Sequence, residues 1–339
     1  MGILGKGIQR ILVFGAGGGG DVVSAAIIAL KLRKLGYEAF IAAAPWERFS
    51  IDQTPGPIRL EEVYNGKKIG RNAMAINQSS YALRRNRKIL FQAVNVAKAL
   101  NEEVYICELS RGVHGLYLGL LDLANHLDVD LILGVDVGGD ILAYGDEEEL
   151  WSPLADQISL AALYRLKRDL NINALIAIQS IGADGELSRE EIISRLSEIA
   201  KRNGLIGALG FGSEDLEYID RLIKVTVTEA GKILPLAIRG FSGWITIRRG
   251  SRRVYVDILS TIAFIVDVEC LYELSKMAKL VADTNSIEEA NEILVSNGIF
   301  TELELEKELF QVMSKGQDLS TISLLNLKRR IIDRIRGSE

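Results

Sequence analysis

The sequence predicts an α/β protein with a doubly wound, mainly parallel Rossmann-like sheet and helices on both faces, followed by a β-hairpin and a helical C-terminal part. Two observations predict this fold class. From residue 10 to residue 180, short apolar runs alternate with segments that repeat apolar residues at helical spacing. The runs are apolar at successive positions, which is typical of strands in a parallel sheet that is covered on both faces.

The predicted elements follow one another along the chain. The run at 11–14 predicts the first strand, and 22–35 predicts a helix that ends at Gly36. Further strands are predicted at 39–44, 104–107, 129–135 and 174–178. Helices are predicted at 89–100, 113–127 and 154–166, the last with a Ser-Pro pair at its start. The stretch around the polar cluster 77–80 has no assignment.

The second half of the chain is less regular. Ser188 and Glu191 form a capping box that opens a helix. The runs 244–247 and 254–258 predict a hairpin with Gly-Ser at 250–251 as a two-residue turn. From residue 268 onward only helices are predicted. We place a soft domain boundary near residue 240, with a Rossmann-like domain at 1–240 and the hairpin and helical region at 241–339, which also fit a single domain.

Composition limits the class of protein. The 339 residues are 48% hydrophobic and 25% charged, which is typical of a folded globular chain. A net charge of −5 argues against a nucleic-acid binder, which needs a net basic face. No apolar run approaches the ~18 residues of a membrane-spanning helix. Without a secretory segment, Cys107 and Cys270 indicate a reducing compartment, so we expect a cytoplasmic protein. We also expect a homo-oligomer.

A glycine-rich loop follows the first predicted strand. Residues 15–21 read Gly-Ala-Gly-Gly-Gly-Gly-Asp, and Gly15, Gly17 and Gly20 have the G-x-G-x-x-G spacing of a dinucleotide site. Gly18 and Gly19 complete a loop that lets a phosphate approach the backbone at a helix start. However, the second strand lacks the acidic residue at its end that an NAD site needs, and Asp21 brings a negative charge to the pyrophosphate position. In the alternative interpretation the glycines form a tight turn and Asp21 caps the helix.

A second loop, 134–140, ends the strand at 129–135 and reads Gly-Val-Asp-Val-Gly-Gly-Asp. Ligands of open α/β sheets bind outside the carboxyl ends of the strands. If the two strands are neighbours, Asp21, Asp136 and Asp140 share one cleft, beside Gly138 and Gly139. Their carboxylates suit Mg²⁺ or Ca²⁺, and equally sugar hydroxyls. The alternative is that Asp136 and Asp140 are turn and cap residues.

Residues 136–140, Asp-Val-Gly-Gly-Asp, are similar to the Asp-x-Gly-x-Asp part of the calcium-binding motif of nucleoside hydrolases. That resemblance implies aspartates that hold Ca²⁺ and a ribose. The family's motif lies near the N-terminus and ends in a second adjacent Asp, whereas here Ile141 follows. The five-residue likeness therefore concerns chemistry rather than ancestry.

Other strand ends supply further candidates. After the strand at 104–107, Arg111 could clamp a phosphate or carboxylate, and His114 could act as an acid or base. In the alternative interpretation His114 is a cap or a surface residue. Asp184 and Glu186 follow the last clear strand and fit an ordinary Asp-Gly turn. The arginines at 248–253 fit an exposed hairpin tip.

The combination of the glycine loop ending in Gly-Asp, the 134–140 loop and Ser-Pro-Leu-Ala-Asp at 152–156 resembles an archaeal family of uncharacterised proteins, domain of unknown function 1152. The likeness runs from about residue 10 to residue 310. It implies an archaeal cytoplasmic source and carries over no activity and no catalytic residue.

We predict an enzyme that binds a nucleoside, nucleotide or sugar phosphate between the two glycine loops, with metal-assisted hydrolysis or group transfer. Asp136 and Asp140 would hold the metal, Asp21 would hold the metal or a ribose, Arg111 would neutralise an anionic group, and His114 would transfer protons. One alternative is an NAD(P)-dependent oxidoreductase on the first loop. The other is a non-catalytic ligand-binding or assembly protein that makes contacts through the hairpin arginines.

Overall fold

The computed structural model describes residues 4–337. Its strands are β1 (Arg10–Gly15), β2 (Glu38–Ala43), β3 (Val63–Tyr64), β4 (Lys67–Ile69), β5 (Ala73–Ile76), β6 (Tyr81–Arg84), β7 (Arg87–Ile89), β8 (Val104–Cys107), β9 (Leu131–Val137), β10 (Asn173–Gln179), β11 (Leu205–Gly210), β12 (Gly243–Ile247), β13 (Arg252–Val256) and β14 (Ile262–Asp267). The helices are α1 (Asp21–Lys34), α2 (Gln92–Leu100), α3 (Gly112–Leu127), α4 (Pro153–Leu170), α5 (Arg189–Lys201), α6 (Leu216–Val225), α7 (Ile233–Ile238), α8 (Val268–Leu274), α9 (Lys276–Val281), α10 (Ile287–Ser296), α11 (Glu302–Ser314) and α12 (Leu324–Arg336).

A nine-stranded sheet runs through the molecule in the order β11-β14-β10-β9-β1-β2-β8-β5-β4. The five central strands, β10, β9, β1, β2 and β8, are parallel to one another, whereas β14 and β5 pair antiparallel with the outer strands β10 and β8. The chain passes from β1 outward to β2 and β8, and then crosses to the other side of β1 to form β9 and β10. The direction of winding therefore reverses between β1 and β9, which is where doubly wound sheets bind ligands.

The sheet is buried on both faces, as the apolar runs predicted. Successive residues of β1 alternate between two cores: Leu12 and Phe14 pack in one, and Ile11 and Val13 in the other, and all four are fully buried. Helices α1, α2 and α6 cover one face, while α3, α4 and α8 to α10 cover the other. The predicted α/β class with a mainly parallel sheet is confirmed.

Three parts of the chain differ from the expectations. Residues 63–88, which had no assignment, and Ile89, which was predicted to open a helix, contain five short strands, three of which form a separate antiparallel sheet. Strand β14 was not predicted, although it lies antiparallel between β10 and β11. The β12–β13 hairpin is present, but its register pairs Ile247 with Arg252, so four residues connect the strands instead of two. Arg248, Arg249 and Gly250 have φ between 53° and 88° in that connection.

The domain boundary near residue 240 stays a prediction. Strand β14, on the C-terminal side of that position, is part of the large sheet, and α8 packs against β10 and β14. Among residues 4–337, no helix combines the length and the apolar character needed to cross a membrane.

Candidate functional site

The carboxyl ends of β1, β9 and β10 open into one cavity of about 490 Å³. Parallel pairing makes β9 the neighbour of both β1 and β10, so the loops that follow the three strands meet at one edge of the sheet. Helices α4 and α11, the segment after β2 and the β12–β13 connection complete the lining. A volume of this size is typical of small-molecule sites.

The first glycine loop lies against two aspartates. Asp21 is the first residue of α1, and its Oδ2 accepts a hydrogen bond from the backbone N–H of Gly17 over 2.7 Å. A Cβ on Gly17 would lie 2.5 Å from that same oxygen and 3.0 Å from Oδ2 of Asp156 on α4. The loop has no room for a side chain here, because the carboxylates occupy that space.

Asp21, Asp136 and Asp156 form one cluster, in which one carboxylate oxygen from each lies within 4.8 Å of the others. All three side chains are buried. Oδ1 of Asp136 and Oδ1 of Asp156 are buried and accept no hydrogen bond from the described part of the chain. Buried acceptors without partners are unusual in folded proteins and point to a missing donor or cation.

A second cluster combines Asp140, Asp184 and Glu186 under the same 4.8 Å criterion. Gly138 makes space for it, because a Cβ at that position would lie 2.2 Å from the carboxyl carbon of Asp184. Oδ2 of Asp184 is buried and has no hydrogen-bond partner among residues 4–337. Glu186 is well satisfied by contrast: it accepts from the backbone N–H groups of Trp151 and Ser152, at 2.6 and 2.9 Å, and from Nη1 of Arg252 at 2.7 Å.

Burial dominates the electrostatics of these groups. It raises the pKa of Asp136 to about 6 and that of Asp184 to about 7, the latter with a further contribution from the charge on Glu186. The pKa values of Asp21, Asp140 and Asp156 also lie well above the usual range, first through burial and then through neighbouring carboxylates. Near neutral pH these acids cannot all be ionised together unless a cation compensates their charge; without one, some of them are protonated.

Glu186 differs from the rest. Burial would raise its pKa, but Arg252, the Ser152 hydroxyl and the two backbone donors outweigh burial and lower the pKa. Glu186 therefore stays ionised beside acids that are readily protonated. Oxygen-only donor sets with several carboxylates suit Mg²⁺ and Ca²⁺, and the unpartnered oxygens of both clusters fit that requirement.

Three of the arginines that line the cavity, Arg48, Arg248 and Arg252, lie beside carboxylates. Arg48 and Arg248 share Glu229, which accepts from Nη1 of Arg48 at 3.2 Å and from the backbone N–H of Arg248 at 3.2 Å. Nε of Arg252 and Nε of Arg248 are buried and donate no hydrogen bond to the described residues. Burial lowers the pKa of Arg248, and the positive charges of Arg48 and Arg252 lower it further. The cluster therefore has positive charge and donors available for an anion.

Further acids line the cavity on α11. Glu302 accepts from the backbone N–H groups of Leu154 and Ala155 at the start of α4. Glu306 accepts from Nε1 of Trp46 and from the backbone N–H of Gly56. Burial raises the pKa of Glu302 to about 7 and that of Glu306 to about 8.

Some of the predicted site residues lie elsewhere. Among the predicted glycines, Gly17 to Gly20 line the cavity. Gly15, Gly138 and Gly139 do not line it; an added Cβ would meet the start of α1 at Gly15, Asp184 at Gly138 and Ile192 at Gly139. Arg111 and His114 are exposed and do not line the cavity. At the start of α3, the backbone N–H of His114 donates to the carbonyl of Thr284 in the segment before α10, and Arg111 donates to Asn72, just before β5.

Sequence reasoning missed several lining residues. Asp184 and Glu186 were placed at a strand end but interpreted as a turn, and the strand-end rule would have included them. Asp156 lies in a helix whose start faces the cavity, and no local pattern indicates this. Arg252 was interpreted as exposed at a hairpin tip. Only 8% of Arg252 is exposed, because the four-residue connection places this residue at the first position of β13, where its side chain lines the cavity.

One family model matches the chain, from residue 12 to residue 310, and it is described as a protein of unknown function (DUF1152). The chain belongs to this family. The match contains both carboxylate clusters, the three arginines and α10, and it ends within α11. No curated protein and no solved structure matches the chain. The family assignment confirms the resemblance noted from the sequence, and the DUF1152 family brings no activity with it.

Proposed function

We propose that this DUF1152 protein is an enzyme that binds a divalent cation and a phosphate-bearing small molecule in the cavity, and that it performs metal-assisted hydrolysis or group transfer at the phosphate centre. The observation that carries this proposal is the juxtaposition of two buried carboxylate clusters with three arginines in one cavity. Carboxylates attract a cation and arginines attract an anion, so a metal–phosphate pair complements both.

The first cluster suits the cation best. Asp136 and Asp156 each have a buried oxygen without a partner, and Asp21 lies within reach of both. A bound divalent cation would supply a Lewis acid and a water of lowered pKa. In the second cluster Asp184 has a free oxygen, whereas Glu186 is already engaged by Arg252. We therefore assign Asp140 and Asp184 a supporting role in cation binding.

The arginines suit the phosphate. Arg48 and Arg248 are partly exposed, with 23% of each side chain accessible, and Arg252 is held by Glu186 beside them. A phosphate oxygen that accepts from the Nε groups of Arg248 and Arg252, which donate no hydrogen bond to the described residues, would satisfy buried donors and offset the repulsion among the guanidiniums. The arginines thus take the anion-binding role that the sequence suggested for Arg111.

The nicotinamide alternative is less well supported by the geometry. A dinucleotide site needs open space above the second glycine of the loop, but carboxylate oxygens of Asp21 and Asp156 lie 2.5 and 3.0 Å from the Cβ position of Gly17. The negative charge of these carboxylates would repel the pyrophosphate of a dinucleotide unless a metal ion lay between them.

Thermal unfolding tests the proposal. Mg²⁺ or Mn²⁺ at about 100 times its dissociation constant should stabilise the protein by about 2.7 kcal/mol. Inorganic pyrophosphate should add to that stabilisation only when the metal is present. Asp136→Asn should lose the metal response, whereas Asp146→Asn, at an exposed acidic position, should keep it. Equal responses of both variants, or stabilisation by NAD(P) with EDTA present, would contradict the proposal.

A further inference from the structure

One wall of the cavity is apolar. It is formed by Leu305 and Leu309 of α11, Leu319 and Leu324 at the start of the C-terminal segment, and Phe49 after β2. Leu309 and Phe49 are buried, and the other three leucines pack against the same apolar cluster while remaining partly exposed. None of these five side chains has a hydrogen-bond donor or acceptor. We call this surface the leucine wall.

Helix α11 joins the leucine wall to the charged part of the cavity. Glu302, Leu305, Glu306 and Leu309 are spaced by three or four residues, so they lie on one face of the helix, and all four line the cavity. The two glutamates contact the start of α4 and the Trp46 indole. A ligand along this face would therefore meet carboxylates and hydrocarbon within about one helical turn.

The C-terminal helix holds the other side of the wall in place. Leu327 of α12 is fully buried, and the buried Lys328 donates from Nζ to the carbonyl of Glu148. The same Nζ lies 4.5 Å from the centre of the Trp151 ring, which also lines the cavity. Leu319 and Leu324 lie beyond residue 310, where the family match ends, so this part of the wall is outside the region that the DUF1152 model describes.

We propose that the cavity binds the diphosphate ester of a short hydrocarbon chain. This inference rests on the function proposed above. The diphosphate would lie at the arginines and the cation site, and the chain would cover the leucine wall. Burying that wall removes apolar surface of both ligand and protein from water. A nucleobase matches the wall less well, because its polar edge needs hydrogen-bond partners that leucine and phenylalanine lack.

Calorimetric titration in the presence of Mg²⁺ tests the inference with three probes: inorganic pyrophosphate, geranyl diphosphate and ADP. Geranyl diphosphate should bind at least about tenfold more tightly than pyrophosphate, since each buried methylene strengthens binding. Leu324→Gln should reduce that ratio to below about threefold without changing pyrophosphate affinity. The control is Leu325→Gln on the next position of α12, which is 42% exposed and does not line the cavity. It should keep the full ratio.

The outcomes separate this inference from the function on which it rests. If pyrophosphate binds with Mg²⁺ but the hydrocarbon chain adds nothing, or if ADP binds more tightly than geranyl diphosphate, the inference is wrong and the proposed function stands. If none of the three probes binds, both are wrong. Equal losses in Leu324→Gln and Leu325→Gln would also overturn the inference, because they would show that the leucine wall is not the contact surface.

Discussion

Nη1 of Arg252 donates a hydrogen bond to Oε1 of Glu186 over 2.7 Å, and only 7% and 1% of the two side chains are exposed. This pair links the β12–β13 hairpin to the loop that follows β10. It also joins the arginines of the cavity to the second carboxylate cluster. Among the groups that lower the pKa of Glu186, Arg252 makes the largest contribution, and it compensates the charge of the carboxylate.

Replacing Arg252 with methionine should therefore destabilise the protein by about 3–5 kcal/mol, because the change leaves the Glu186 carboxylate buried without its cation. Urea denaturation measures the loss. The control is Arg253→Met at the next position of β13, where the side chain is exposed and lies over Trp244 at 4.7 Å. That variant should lose less than about 1 kcal/mol. Similar losses for both variants would show that the ion pair has no special role.

Glu306 should make stability depend on pH. Burial raises its pKa from 4.5 to about 8. Well below pH 4.5 the carboxyl is protonated in both the folded and the unfolded chain, so its titration does not change the free energy of unfolding. Between pH 4.5 and 8 the unfolded chain ionises first, so the free energy of unfolding falls as pH rises, by at most about 1.4 kcal/mol per pH unit.

Glu306→Gln removes this titration and keeps an acceptor oxygen at the position that serves Trp46 and Gly56. Its free energy of unfolding, relative to that of the unchanged protein, should rise steadily from pH 5 to pH 8. Denaturation curves at several pH values give this difference, with the exposed Glu288→Gln change as the control. A difference that does not vary with pH would count against a protonated Glu306 in the folded protein.

Gly17→Ala should weaken cation binding. The added Cβ would lie 2.5 Å from Oδ2 of Asp21 and 3.0 Å from Oδ2 of Asp156, so the two carboxylates must move apart. Overpacking of this kind costs about 1–3 kcal/mol of stability. The readout is the Mg²⁺-dependent increase in melting temperature, which should disappear. Gly210→Ala, with no atom within 4 Å of the added Cβ, should keep it. A Gly17→Ala protein with the full metal response would exclude the first cluster as the cation site.

Ser188→Ala should cost about 1 kcal/mol, because it removes a capping box. The Ser188 hydroxyl accepts from the backbone N–H of Glu191, and the Glu191 carboxylate accepts in return from the backbone N–H of Ser188. Thermal unfolding measures the effect, with Ser197→Ala in the middle of the same helix as the comparison. If the Ser197 change costs as much, the cap contributes little to the stability of α5.

The central strands and their helices could be predicted because their signals are local. Strand β8 occupies the predicted residues, and α1 and α3 begin within one residue of their predicted positions. Strand β14 was missed because its neighbours in the sheet, β10 and β11, are distant along the chain. Whether such a segment forms a strand depends more on its pairing with distant strands than on its own residue pattern.

The candidate site could also be predicted only where its residues carry a local signal. Asp21 and Asp136 were found because Asp21 comes soon after β1 and Asp136 lies near the carboxyl end of β9, and strand order then determines whether such residues meet. His114 also follows a strand, but packing of α3 against the segment before α10 keeps it outside the cavity. Arg48 and Asp156 had no local signal, since only the folding of distant segments around the cavity brings them to the carboxylates.

The position of β14 has a consequence for how the protein matures on the ribosome. A chain synthesised only to residue 240 contains β10 and β11 but not the strand that separates them. One side of β10 would then expose unpaired N–H and C=O groups, which favour association with other chains. Strand β14 can pair with β10 and β11 only after residues 262–267 have left the exit tunnel. We therefore expect the nascent protein to need a chaperone that covers the unpaired edge of β10 until more than three quarters of the chain has been made.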